Sequence, residues 1–306
     1  MENQIIIKTQ GGLGNQLFQY ALYVWLENNK KNVYLDTISN FSKKNKGPAG
    51  AIHNGYELEK VFDIKARYAT SSQIRKMAGS YDSFMYKAFC RITNYKKSSY
   101  ISQQSLGEDK HFADILELDN AYLDGYWDTF YIADMMAPIL KSKLFIEDDK
   151  YCGKNKKILS SIIEENAISV HIRHGDYLKL KNMYYIPDLN YYNRAIEFFK
   201  DNIENPVFYF FSDDIKWCKE KFHGLNCCFV DWNVNEDAYW DLLLMSRCKH
   251  NIIANSSFST WASWLNSNPD KMVIRPDKYY IDATTNFDDN WPQNCYVCDG
   301  RDVTLL

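Results

Sequence analysis

A chain of 306 residues with 46% hydrophobic and 25% charged content has room for one large or two medium domains, each with a buried core. Its net charge of −3 lacks the basic excess of a nucleic-acid binder, and the runs Lys43-Lys44-Asn45-Lys46 and Lys154-Asn155-Lys156-Lys157 read as solvated faces. No apolar stretch of signal-peptide or membrane-span length opens the chain, so the expectation is a cytoplasmic protein with eight reduced cysteines and at most peripheral membrane contact, at the inner face.

The first element is a strand at Ile5–Lys8, followed at once by Gly11-Gly12-Leu13-Gly14-Asn15-Gln16. Leu17, Phe18, Tyr20, Ala21, Val24 and Trp25 then recur at helical spacing, and a second strand at Val33–Leu35 ends in Asp36. Strand, glycine turn, helix and strand are the usual opening of a parallel α/β sheet. Residues 40–115 carry mixed periodicity. The turn-containing run Tyr122-Leu123-Asp124-Gly125-Tyr126-Trp127 stands out as aromatic, and Tyr126 and Trp127 suit either packing or a sugar platform. The polar segment from Glu147 to Lys157 is the expected linker, which sets domains at 1–150 and 151–306.

The second half alternates. Strands are expected at Ile168–Ile172, Val207–Phe211, Cys228–Val230, Asn251–Ala254 and Met272–Ile274. Helices fall between them at Tyr191–Phe199, Ile215–Phe222, Asn235–Met245 and Ser257–Leu265. Cys295-x-x-Cys298 has no second pair at zinc-site spacing and reads as structural.

Ligands of open parallel sheets bind outside the carboxyl ends of the strands. Three polar clusters come directly after expected strands there: Arg173-His174-Gly175-Asp176, Ser212-Asp213-Asp214, and Asn255-Ser256-Ser257-Phe258-Ser259. Arg173 can grip a diphosphate with paired charge-assisted hydrogen bonds, and an Arg directly after a buried strand needs an anionic partner. The run from Asn255 to Ser259 opens a helix whose N–H groups and hydroxyls suit phosphate oxygens. Asp213 or Asp214 could accept from a guanine or a ribose, or could simply start a helix, where acids are also favoured.

The glycine turn has a competing reading. Gly12-x-Gly14 opening a helix, with Asp36 closing the next strand, is similar to a dinucleotide fingerprint. The third glycine position holds Leu17, however, and the amides of Asn15 and Gln16 suit a sugar or a phosphate better than a tight pyrophosphate turn.

The segments Gly11 to Ala21 and His171 to Tyr177 resemble the two hallmark motifs of bacterial α-1,2-fucosyltransferases, glycosyltransferase family 11. Phe211–Asp214 and Asn255–Ala262 resemble two further segments in the expected order, and Leu123–Trp127 a looser one. The resemblance implies an α/β fold of GT-B type, with two Rossmann-like parallel-sheet domains facing each other across a cleft. It makes the first domain the acceptor side and the second the donor side. It implies inverting transfer of fucose from GDP-fucose to the 2-hydroxyl of a terminal galactose, in an oligosaccharide, an O-antigen or another surface or lipid-linked glycan. It implies that no metal and no cofactor besides the donor substrate is required.

Donor contacts would come from Gly12, Gly14, Asn15, Gln16, Arg173, His174, Asp213, Asp214 and the Asn255–Ser259 run. Arg173 matches the family's leading catalytic arginine, which neutralises the leaving phosphate, and His171 and Asp176 are candidates for the base. Asp176 could instead bond to backbone or to Arg173. His174 stands where the family commonly has a second Arg, which puts a titratable group at one contact. The absence of any D-x-D sequence agrees with metal independence. The alternatives are a non-catalytic nucleotide-sugar-binding protein, a transferase of another GDP-sugar or fucosyl linkage, and a nicotinamide oxidoreductase, which Leu17 weakens.

Overall fold

The computed structural model describes residues 3–41, 54–80, 84–93, 95, 97–103, 113–175, 182, 184–281, 291 and 295–305. They form two compact units that divide between Asp128 and Thr129.

The first unit comprises β1 (Gln4–Lys8), α1 (Leu13–Asn28), β2 (Val33–Asp36), α2 (Leu58–Val61), α3 (Ser71–Ala78), α4 (Phe84–Thr93), β3 (Tyr100–Ser102), α5 (Ala113–Leu116) and β4 (Asn120–Asp124). Its four strands lie in the order β2-β1-β4-β3, all parallel. Ile5, Ile6 and Ile7 of β1 are all buried, as expected of a parallel strand covered on both faces. Helix α1 is buried almost continuously from Leu13 to Leu26, which explains an apolar pattern that runs nearly all round it.

The second unit comprises α6 (Phe130–Lys143), α7 (Gly153–Glu164), β5 (Asn166–Ile172), α8 (Leu189–Asn202), β6 (Pro206–Ser212), α9 (Ile215–Lys221), β7 (Cys227–Val230), α10 (Tyr239–Arg247), β8 (His250–Ile252), α11 (Ser257–Leu265), β9 (Val273–Pro276), β10 (Tyr296–Cys298) and β11 (Val303–Leu305). The strand order is β11-β10-β9-β8-β5-β6-β7, with only β11 antiparallel. The core gathers Ile168, Val170, Phe208 and Phe210 from the central strands against Tyr191, Ala195 and Phe199 of α8.

Three expectations differ from what is observed. The segment from Glu147 to Lys157 is not a linker: it holds a 3₁₀ turn at Asp148–Lys150 and the start of α7. The exposed Lys154, Lys156 and Lys157 are the outer face of an amphipathic helix that buries Leu159 and Ile162. The 150/151 boundary therefore falls inside the second unit, to which α6 is tied by a 2.6 Å bond from Trp264 Nε1 to Asp134. The expected helix Asn235–Met245 is a 3₁₀ turn at Asn235–Asp237 followed by α10. Asn235 breaks it with a left-handed φ of 55°.

Candidate functional site

In the second unit, β5 is the first strand in sequence and β8 the fourth, and they are neighbours. The order β7-β6-β5-β8-β9-β10 is that of a doubly wound sheet, and its strand order reverses between β5 and β8. The crevice at that switch point is where such sheets bind ligands. Val170 pairs with Ile252, and Arg173 and Asn255 each lie three residues beyond that row. His171, at the end of β5, packs its ring 5.8 Å from that of Phe258 in the first turn of α11. The loop that carries Arg173 and the N-terminus of α11 thus lie together at the crevice.

The loop after β5 is clamped from β6. Asp213 Oδ1 accepts from the backbone N–H of His174 at 2.9 Å and of Gly175 at 3.1 Å. Its Oδ2 stands 3.6 Å from Arg173 Nε. A Cβ on Gly175 would sit 3.3 Å from the same Oδ2, so a side chain there would press on the clamp. Asp214 caps α9 by accepting from Trp217 N at 3.2 Å, and it lies 3.0 Å from His174 Nδ1. The His174 ring stacks on Trp217 with centroids 4.6 Å apart. Both readings of this acidic pair meet here: the acids start a helix and also set the geometry of the arginine loop.

His171 is 4% exposed, and burial, reinforced by the Arg173 charge, pushes its pKa down to about 3. It is neutral at physiological pH, and its Nδ1 is buried without a hydrogen-bond partner among the described residues. Asp176 lies outside the described residues.

Asn255 is fully buried, and its amide donates to the carbonyls of Tyr185 and, at 3.0 Å, Tyr279, tying two loops to the start of α11. Ser259 Oγ accepts from Ala254 N at 3.2 Å, so this hydroxyl braces the turn. Ser256 occupies the N-cap position of α11 with no side-chain capping bond. The N–H groups of Ser257, Phe258 and Ser259 form the first turn, which has no intrahelical acceptors.

The first unit has its own switch point, between β1 and β4. Gly11 takes φ 78°, and a Cβ there would lie 2.5 Å from Asn15 Nδ2, so glycine is required by both backbone and space. Gly12 is the N-cap of α1, and its carbonyl accepts from Asn15 N at 3.0 Å and from Gln16 N at 3.1 Å. Gly14 is buried in the first turn, and Asn15 is half-buried beside it.

Gln16 differs from expectation. It is fully buried, donates to Gly11 O at 3.0 Å and Gly55 O at 2.8 Å, and accepts from Glu57 N at 2.8 Å. Its amide is spent on holding loops, as is that of Gln19, which accepts from Gln10 N at 2.9 Å. Asp36 is likewise consumed: Oδ1 accepts from Ile38 N and Ser39 N, both at 2.9 Å, and Oδ2 from Tyr122 OH at 2.6 Å. This leaves the dinucleotide reading without its ribose acceptor.

Beyond β4 the backbone turns sharply, with Trp127 at φ 56°. Trp127 is 1% exposed and presents no face for stacking, whereas Tyr126 is half-open. Tyr126 lines a cleft of about 340 Å³ with Gln10, Tyr100, Gln103 and Asp124. Asp124 accepts there from Lys8 Nζ at 3.0 Å and from Tyr100 OH. Gln103 Oε1 accepts from the N–H groups of Tyr126 and Trp127, both at 2.9 Å. Gln19, Asp124 and Gln103 were not singled out in the sequence. Asp124 ends a strand at the carboxyl edge, and that position alone could have flagged it.

Two Rossmann-like sheets, with an arginine and a helix N-terminus at the switch point of the second, define a nucleotide-sugar transferase fold of GT-B type. The chain belongs to glycosyl transferase family 11, whose family model matches residues 4–294. It is 30% identical over 285 residues to the Escherichia coli O-antigen biosynthesis glycosyltransferase WbnK, covering 88% of this chain and 93% of that one. It is 29% identical to an Escherichia coli alpha-1,2-colitosyltransferase, covering 94% of this chain and 97% of that one. Human galactoside alpha-(1,2)-fucosyltransferase 1 matches over 103 residues at 29% identity, covering 32% of this chain and 28% of that one. The fold is similar to that of the fucosyltransferase NodZ from Bradyrhizobium at a TM-score of 0.53 and 12% identity, covering 100% of this chain and 99% of that one.

Proposed function

We propose that this glycosyltransferase moves fucose from GDP-fucose to the 2-hydroxyl of a terminal galactose in a surface glycan, with inversion and without a metal. The observation that carries the reading is Arg173, held beside Asp213 where the end of β5 meets the first turn of α11. In the reaction the acceptor oxygen attacks the anomeric carbon, the bond from that carbon to the β-phosphate oxygen breaks, and the acceptor hydroxyl passes its proton to solvent water or to Asp176, the remaining candidate base. Negative charge grows on the departing GDP. The Arg173 guanidinium and the α11 N–H groups are fixed donors suited to that charge, and one well-placed donor contributes about 3 kcal/mol to the transition state. His171, with its pKa at about 3, is a weak base, so its role is to pack Phe258 and seat the loop.

The likeness to a colitosyltransferase over 94% of the chain favours a second reading, in which the donor sugar is colitose. Mass spectrometry of products from GDP-fucose, GDP-colitose and GDP-mannose with lactose and related galactosides separates the two readings. Arg173→Ala should lower kcat by about 100-fold or more. Near-normal turnover in that variant would remove Arg173 from the mechanism. Activity lost in EDTA and restored by Mn²⁺ would end the metal-free reading.

A further inference from the structure

Helix α4 of the first unit presents an apolar stripe to solvent. Met85 is 81% exposed, Phe89 51% and Ile92 84%, and their spacing of four and then three residues puts them on one face. Tyr95 comes next, 45% exposed, with its ring 5.9 Å from that of Phe89. Tyr86, on another side of the helix, rests against Gly79. The outward stripe is therefore not the side by which α4 packs on its own unit. Four large apolar side chains on one short segment form a patch of the kind that marks an interaction surface.

The charge around this stripe identifies the partner. From Ile64 to Gln103 the sequence holds eight Lys and Arg against a single acid, Asp82, in a chain whose net charge is −3. Arg91 is exposed on α4 itself and makes no ion pair among the described residues. Lys97 Nζ donates to the carbonyls of Lys76 at 2.7 Å and Arg75 at 3.2 Å, which brings the exposed end of α3 and its two cations beside the segment. An amphipathic helix with apolar residues outward and only cations along it matches an anionic bilayer, where side chains enter the acyl boundary and Lys and Arg meet headgroup phosphates.

We propose that α4 docks the first unit on an anionic membrane surface, through Met85, Phe89 and Ile92 as apolar anchors and the surrounding cations as electrostatic contacts. The contact is peripheral, since among the described residues no helix is long and apolar enough to cross a membrane. It does not depend on the identity of the sugar donor. An enzyme held in this way would work at the surface where lipid-linked acceptors collect.

Co-sedimentation with vesicles tests the proposal. The protein should pellet with vesicles of equal parts phosphatidylcholine and phosphatidylglycerol, stay in solution with phosphatidylcholine alone, and be released by added salt. The double variant Met85→Ser/Ile92→Ser should bind the anionic vesicles about tenfold more weakly. Arg91→Glu should also lose about tenfold, and it tests the charge independently should the double variant melt early. Both variants should transfer sugar to a soluble acceptor as the parent does. Failure of the parent protein to pellet with anionic vesicles would overturn the proposal. So would a concentration-dependent dimer in sedimentation velocity that the double variant abolishes while vesicle binding is absent, because the stripe would then be covered by a second copy of this chain.

Discussion

A histidine buried at the carboxyl end of β5 leaves a mark on stability that can be measured apart from catalysis. His171 has its pKa pushed down to about 3 in the folded protein, against 6.5 for an ordinary histidine. Between those values the unfolded chain binds more protons, so the stabilising difference is complete above about pH 6.5 and is lost as pH falls toward 3. At pH 5 the loss from this one group is about 2 kcal/mol. Urea unfolding at pH 7 and at pH 5 should show the parent protein losing about 2 kcal/mol more than His171→Gln between the two. Equal losses would mean that His171 is not the group responsible. The sequence flagged Arg173 correctly as the charge at the strand end, because a cation after an apolar run is visible without a structure. It did not show that Asp213 clamps the neighbouring amides, since that bond joins residues 39 and 38 positions apart.

At the scale of the element, strands and helices of the second half were legible because each is an apolar run or a periodic segment bounded by polar turns. The helix Ser257–Leu265 is observed with the bounds its pattern suggested. Residues 40–115 resisted reading because their described helices are short: α2 and α5 have four residues each, α3 eight and α4 ten. Periodicity needs a longer window, although the capping box of Thr70 and Gln73 was available as a start signal for α3. The glycine turn was located correctly, but the duty of Gln16 was not, because an amide facing a ligand and an amide bracing a loop have the same sequence. Gln16→Leu should strip Gly11 O, Gly55 O and Glu57 N of their partner within a buried setting. The expected cost is about 2–4 kcal/mol of unfolding free energy, read as a lower urea midpoint at unchanged slope. A loss within about 0.5 kcal/mol would show that water or neighbouring groups replace those bonds.

For the whole molecule, the two switch points decide where a ligand can bind, and both are marked in the sequence by the residues directly after each strand. In the second half those residues form three polar clusters; in the first, Asp124 stands alone inside an aromatic run, which hid its cleft. On the proposed function the nucleotide sits on the second sheet, beside the arginine loop, and it is a guanine rather than a nicotinamide nucleotide because the Asp36 carboxylate of the first unit is consumed by its own surroundings. Binding to the native state alone stabilises it by mass action, about 2.7 kcal/mol when GDP is at 100 times its Kd. GDP should therefore raise the melting temperature, and NAD at the same concentration should leave it unchanged. Hydrogen exchange locates the effect: GDP should slow the amides of the α11 first turn, Ser257 to Ser259, which have no intrahelical acceptors. The Gly12 turn is the internal comparison, since the N–H groups of Asn15 and Gln16 already donate to the Gly12 carbonyl. Stabilisation by NAD but not GDP, or protection confined to the Gly11–Gln16 turn, would move the nucleotide to the first sheet and revive the dinucleotide reading.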